Sequence, residues 1–169
     1  MQNLSVKHET IPVNGIKLHI AKQGSGKKLV LLLHGWPEFW YTWRYQIPIL
    51  AKQFTVVAPD LRGFNLSDKP HGVQNYKTDI VATDIAELIK YLGFKKAYIV
   101  GHDWGGAVAW TFAAMFPELT EKLVVCNCPH PKIMLKKLTS SPAQLLKSWY
   151  MFMHQIPLLP EMIYQFTLP

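Results

Sequence analysis

The chain has 169 residues, 49% of them hydrophobic, and 18 Lys and Arg against 11 Asp and Glu give a formal charge of +7. That length suits one domain by default, and so large an apolar fraction excludes a disordered chain. The basic excess comes as separated lysine pairs, Lys27-Lys28, Lys95-Lys96 and Lys136-Lys137, not as a stripe interleaved with aromatics, so no nucleic-acid partner is expected.

Residues 4–22 read as a β-hairpin turning at Asn14-Gly15, with Ile16, Leu18 and Ile20 alternating along the second strand. Leu29-Val30-Leu31-Leu32-Leu33 is a continuous apolar run, the pattern of a strand buried on both faces. His34-Gly35-Trp36-Pro37 ends it. A helix is predicted over 40–52, a strand over 54–59, and then a polar loop from Asp60 to Pro70, in which Asp60 and Arg62 order the loop. Residues 76–92 carry Ile80, Ile85, Leu88, Ile89 and Leu92 at helical spacing, with Asp84, Glu87 and Lys90 placed outside and Gly93 as the stop. A strand over 96–100, an almost wholly apolar helix over 105–115 and a strand over 122–127 complete the alternation. That order predicts an α/β fold with a mostly parallel sheet and helices on both faces. Its polar clusters at 34–37, 60–68 and 101–106 fall at the carboxyl ends of strands, where such sheets bind ligands.

After Pro129-His130-Pro131 the composition turns to Leu, Met, Phe and Tyr, and short helices are predicted near 133–138 and 142–154. The expected division is therefore 1–131 for the first part of an α/β core and 132–169 for the start of a helical layer over it. Cys126 and Cys128 suit neither a disulfide nor a lone zinc site. Read as two buried thiols they fit a reducing compartment. Met1 to Asn14 has no apolar signal segment, and no apolar run approaches the roughly 18 residues of a membrane helix. A cytoplasmic protein with no metal, no cofactor and no membrane span is expected.

The chemistry gathers at Gly101-His102-Asp103-Trp104-Gly105-Gly106. An apolar strand, a tight glycine-framed turn and an apolar helix form the geometry of a nucleophile elbow, with Asp103 at its tip in place of the usual serine. Carboxylate attack on an ester carbonyl would give an anhydride, no easier to break than the ester. Attack on a saturated carbon opens an epoxide or displaces a halide and leaves an ordinary ester, which water can cleave. The backbone N–H groups of Trp104 and Trp36 are the expected oxyanion donors, and Pro37 holds the loop without donating. An Asp before Gly-Gly also suits a helix N-cap, and His34 and His102 beside a tight turn also suit structural roles.

His34-Gly35-Trp36-Pro37-Glu38-Phe39-Trp40-Tyr41-Thr42-Trp43-Arg44-Tyr45-Gln46-Ile47-Pro48 resembles the oxyanion loop of the epoxide hydrolases of the α/β-hydrolase family. Asp60 to Pro70 is similar to that family's loop after the fourth strand, and Gly101 to Gly106 to its aspartate elbow. Ser148-Trp149-Tyr150 with His154-Gln155-Ile156-Pro157 resembles its first catalytic-tyrosine segment, in the cap domain. Asn65 departs from the pattern, since many members carry glycine there, and puts the loop's geometry in question. The resemblance implies hydrolysis of a small apolar epoxide to a vicinal diol. Asp103 would be the nucleophile, Tyr150 the acid on the epoxide oxygen, Trp36 and Trp104 the oxyanion hole, and His34, Gly35, Pro37 and His102 the pocket.

A haloalkane dehalogenase is the nearest rival. Those enzymes commonly place a halide-binding Asn where Trp36 stands, and they need no tyrosine acid. A noncatalytic hydrolase-like binding module is the other alternative. The resemblance also implies a second tyrosine, a late acid and a final histidine that these 169 residues do not match. The chain is therefore expected to be truncated within the cap and inactive in turnover alone, and its strand at 122–127 to be an exposed edge prone to self-association.

Overall fold

The structure is a computed structural model, and it describes residues 5–156 and 158–167. These fall into two compact units divided between Cys128 and Pro129.

The described residues of the first unit build one six-stranded sheet with helices packed on it. Strands β1 (Lys7–Val13) and β2 (Ile16–Gln23) form the predicted hairpin, with Val13 paired to Ile16. Asn14 and Gly15 sit at φ 44° and 75°, the paired left-handed conformations of a two-residue turn whose twist matches the strands. The remaining strands are β3 (Leu29–Leu33), β4 (Thr55–Pro59), β5 (Ala97–His102) and β6 (Thr120–Cys126). Their order is β1-β2-β4-β3-β5-β6. β1 and β2 are antiparallel to their neighbours, whereas β4, β3, β5 and β6 run parallel. Among the described residues β6 has β5 as its one neighbour and forms the sheet's edge.

Alternation along β3 shows why both faces are covered. Leu29, Leu31 and Leu33 point into a core shared with α2 (Thr78–Tyr91) and α3 (Trp104–Met115). Val30 and Leu32 point the other way, against Trp43 and against Ile47 of α1 (Ile47–Leu50). All five side chains are buried, as the unbroken apolar run requires.

Several local expectations change. No continuous helix spans 40–52: a 3-10 turn at Trp40–Trp43 precedes α1, a single turn. A longer helix would place Pro48 in its interior, where the ring meets the carbonyl four residues back. Helix α3 buries Gly105, Gly106, Val108, Ala109 and Phe112 but leaves Met115 exposed. Asp84, placed outside by periodicity, is fully buried on α2. Its carboxylate takes a two-pronged grip from Arg62, Nε to Oδ2 at 2.8 Å and Nη2 to Oδ1 at 2.6 Å, and a third bond from Asn14 Nδ2 at 2.8 Å. Arg62 Nη2 also donates to the Asn14 carbonyl, so one ion pair joins the hairpin turn, the loop after β4 and α2. The bond to Asp84 raises the Arg62 pKa, against the opposing effect of burial.

Asp60 orders its surroundings as expected. Fully buried, it accepts from the Trp40 N–H at 2.9 Å and from Asn65 Nδ2 at 2.8 Å, and lies 2.6 Å from His19 Nδ1. Asn65 itself sits at φ 41°, the left-handed conformation that glycine and asparagine tolerate best, which answers the question its departure raised.

The described residues of the second unit form four helices: α4 (Pro131–Ser140), α5 (Pro142–Lys147), α6 (Trp149–Met153) and α7 (Leu159–Thr167). The helix predicted over 142–154 is thus interrupted at Ser148, a buried residue whose Oγ accepts from Gln144 Nε2 at 3.0 Å. Sequence reading also missed α7, where Pro160 occupies the first turn and needs no amide partner. No helix among the described residues is long and apolar enough to cross a membrane. The premise of two buried thiols does not hold, since Cys126 is exposed and Cys128 half-buried.

Candidate active site

Strand β5 delivers the chain to Asp103 and α3 leaves from it. Asp103 adopts φ 50° and ψ −116°, a conformation that costs a non-glycine residue about 1–3 kcal/mol. The surrounding packing holds it there. Its N–H donates to the Cys126 carbonyl of β6 at 3.1 Å, and its carbonyl accepts from Gly106 and Ala107. A Cβ on Gly105 would run into the Leu33 and His34 carbonyls, so only glycine lets α3 start this close to the end of β3.

The carboxylate does not cap α3. Instead Oδ1 accepts a 3.0 Å hydrogen bond from the Trp36 N–H, in the loop after β3. Gly35 makes that approach possible: a Cβ there would lie 2.7 Å from the Asp103 Cβ and 3.0 Å from Oδ1. Trp104 is the first residue of α3, so its N–H has no acceptor within its own helix. Helix N-termini favour negative charge, and this one begins directly behind the carboxylate.

A clasp of side chains fixes the loop against the elbow. Glu38 Oε2 accepts from the Gly35 N–H at 2.9 Å and lies 3.1 Å from His102 Nδ1. On the other side of that ring, Nε2 lies 3.1 Å from Asn127 Nδ2. The amide donating to Nε2 and Nδ1–H donating to Glu38 make one consistent neutral tautomer. Glu38 and Asn127 escaped the sequence reading. For Glu38 the available signal was its place three residues after Gly35, where a carboxylate can reach back to a turn amide.

Of the pocket residues expected from sequence, Gly35 and His102 adjoin Asp103. Pro37 is exposed, and the Trp36–Pro37 peptide is cis. His34 is a correction. It is wholly buried, with Nδ1 2.8 Å from the Gly35 carbonyl and Nε2 accepting from the Leu61 N–H at 2.9 Å. Both ring nitrogens are consumed in joining two loops, so His34 positions the backbone and does not face a ligand. Burial lowers its pKa, keeping the ring neutral. Near the elbow, the Cys128 thiol is pushed up first by burial and then by the charge on Asp103.

Tyr150 belongs to α6 in the second unit and is half-exposed. His154, one turn on, has Nδ1 2.6 Å from the Tyr150 carbonyl and Nε2 2.7 Å from the Tyr164 hydroxyl, tying α6 to α7.

A family described as α/β hydrolase fold matches residues 28–161, most of the chain. The chain belongs to the α/β-hydrolase family. Within it, the sequence is 47% identical over 154 residues to epoxide hydrolase 1 of Caenorhabditis elegans, covering 90% of this chain and 38% of that protein. It is 47% identical over 152 residues to human epoxide hydrolase 4, covering 89% of this chain and 42% of the relative. Among solved α/β-hydrolase structures, an inhibitor complex of the Bacillus megaterium epoxide hydrolase superposes with a TM-score of 0.85 at 42% identity, over 88% of this chain and 52% of that one. Epoxide hydrolase VrEH1 from Vigna radiata gives 0.81 at 35% identity, over 94% and 53%. This α/β-hydrolase chain therefore spans less than half the length of those two curated relatives.

Proposed function

We propose that this chain carries the nucleophile half of an epoxide hydrolase. The observation that supports it most is the Trp36 N–H on Oδ1 of an Asp103 that caps nothing. With Oδ1 held by a backbone donor, Oδ2 is the oxygen left to attack. It forms a bond to an epoxide carbon while the ring C–O bond breaks toward oxygen, which takes the Tyr150 phenolic proton. The product is an alkyl ester whose carbonyl oxygen is Oδ1. Water added to that carbonyl would place negative charge on Oδ1, facing the N–H groups of Trp36 and Trp104. One of these two donors, the Trp36 N–H, meets Oδ1 before the first step. The relatives named as epoxide hydrolases support the same reading.

Hydrolysis of the ester needs a base. His102 is engaged with Glu38 and Asn127, His130 Nδ1 accepts from the Lys132 N–H at the start of α4, and His154 bridges α6 and α7. We therefore expect these 169 residues to stop at the ester. The test is intact-mass and peptide mapping after exposure to a small aryl epoxide. One equivalent of adduct on Asp103, absent in Asp103→Ala, supports the reading. A folded chain that takes up no epoxide carbon would sink it.

A further inference from the structure

Two of the three lysine pairs, distant in the chain, come together in space. Lys27-Lys28 directly precede β3, and Lys95-Lys96 directly precede β5. These strands pair in parallel with Leu29 opposite Ala97, so the register brings all four lysines to one end of the sheet. There they line an open cavity of about 570 Å³, with Tyr98 and Glu121 on its wall. The elbow lies at the other end of β5, roughly 20 Å away at the rise of a six-residue strand.

The charge balance is uneven. Lys28 Nζ donates to the Tyr98 hydroxyl at 2.8 Å and stands 4.0 Å from Glu121 Oε1, so one ammonium is fixed and partly matched. Lys27, Lys95 and Lys96 are exposed and form no ion pair among the described residues. Four lysines and one carboxylate line the cavity, and so uneven a balance of charge favours an anion there. The bond to Tyr98 also raises the Lys28 pKa, so that group keeps its charge.

We propose that this cavity binds a small polyphosphate, a ligand carrying two or more phosphate groups. Lysine offers compact point charges that meet phosphate oxygens from several directions. The volume falls within the roughly 300–1,000 Å³ of small-molecule sites, more than one phosphate fills. Such a ligand could be soluble or be the headgroup of a lipid, which would seat the sheet's end on a membrane surface with the elbow facing away.

Titration calorimetry of the full chain with sodium tripolyphosphate tests it, alongside sedimentation with phosphatidylcholine vesicles with and without a phosphatidylinositol bisphosphate. We expect saturable one-to-one binding that weakens as salt is raised. Lys27→Gln/Lys96→Gln should weaken it about tenfold or more, the scale of removing two nearby charges. Lys136→Gln/Lys137→Gln, the pair in the other unit, should leave it unchanged. All these lysines are exposed, and circular dichroism checks each variant's fold. Tripolyphosphate binding alone assigns a soluble ligand, and capture by the doped vesicles assigns a headgroup. Failure of both, or equal losses in the two lysine-pair variants, overturns the site. A preference for a short single-stranded oligonucleotide over tripolyphosphate does so as well.

Discussion

The amide of Trp36 donates to Oδ1 of Asp103 at 3.0 Å across 67 residues of chain. That bond separates this carboxylate from one that caps its own helix, and it is the basis for the nucleophile role proposed above. A capping carboxylate turns back onto the amides of its own helix. This one is turned to a donor from another loop, and its backbone is kept in a conformation that aspartate alone does not favour.

Gly35 is the position where that relationship is most easily broken. Gly35→Ala would bring a methyl group to 2.7 Å from the Asp103 Cβ. Displacing a reacting group by about 1 Å costs on the order of 100-fold in rate. We expect adduct formation on Asp103 to slow by that order while far-ultraviolet circular dichroism stays unchanged. Time-resolved intact-mass measurement reads it.

On the proposed mechanism, Tyr150 separates the two chemistries open to an aspartate at this turn. Removing a general acid typically costs about 100- to 10,000-fold. Tyr150→Phe should therefore slow adduct formation from an epoxide by that range and leave formation from an alkyl bromide unaffected, because bromide departs without a proton. Equal rates with both variants and both substrates would remove Tyr150 from the mechanism.

The Arg62–Asp84 pair predicts a large stability effect far from the elbow. Both side chains are buried, and removing one partner leaves an uncompensated charge. Arg62→Ala should lose about 3–5 kcal/mol, and Arg62→Met/Asp84→Leu should recover most of it. Urea denaturation of the two variants is the measurement.

His34 predicts an acid limit. Its pKa is lowered in the fold from an ordinary value of 6.5, so the unfolded chain binds the proton more readily. Stability from this residue is complete above that value and falls as pH drops below it, toward the folded pKa. The melting temperature should decline more steeply below pH 6.5 in the parent than in His34→Gln, which cannot be protonated there. Parallel slopes would show that the ring is not the sensor.

Where the sequence misled, the cause was a contact between distant segments. Helical spacing put Asp84 on the outer face of α2, yet Arg62 and Asn14 enclose it. His34 looked like a pocket residue because it directly precedes Gly35 and Trp36, but the Leu61 amide occupies its second nitrogen. Local spacing could have shown Glu38 reaching the Gly35 amide, but its other partner, His102, lies 64 residues away.

Taken alone, the sequence determined the hairpin turn at Asn14-Gly15, the doubly buried strand at 29–33 and the aspartate elbow. Each is written in neighbouring residues through backbone conformation or side-chain period. The tertiary structure decided what those local features meet: the Trp36 donor on Asp103, the clasp of Glu38, His102 and Asn127, and the four lysines gathered at the far end of the sheet. Strand register sets such meetings, and register follows from how all the strands pack together, which no single stretch of sequence encodes.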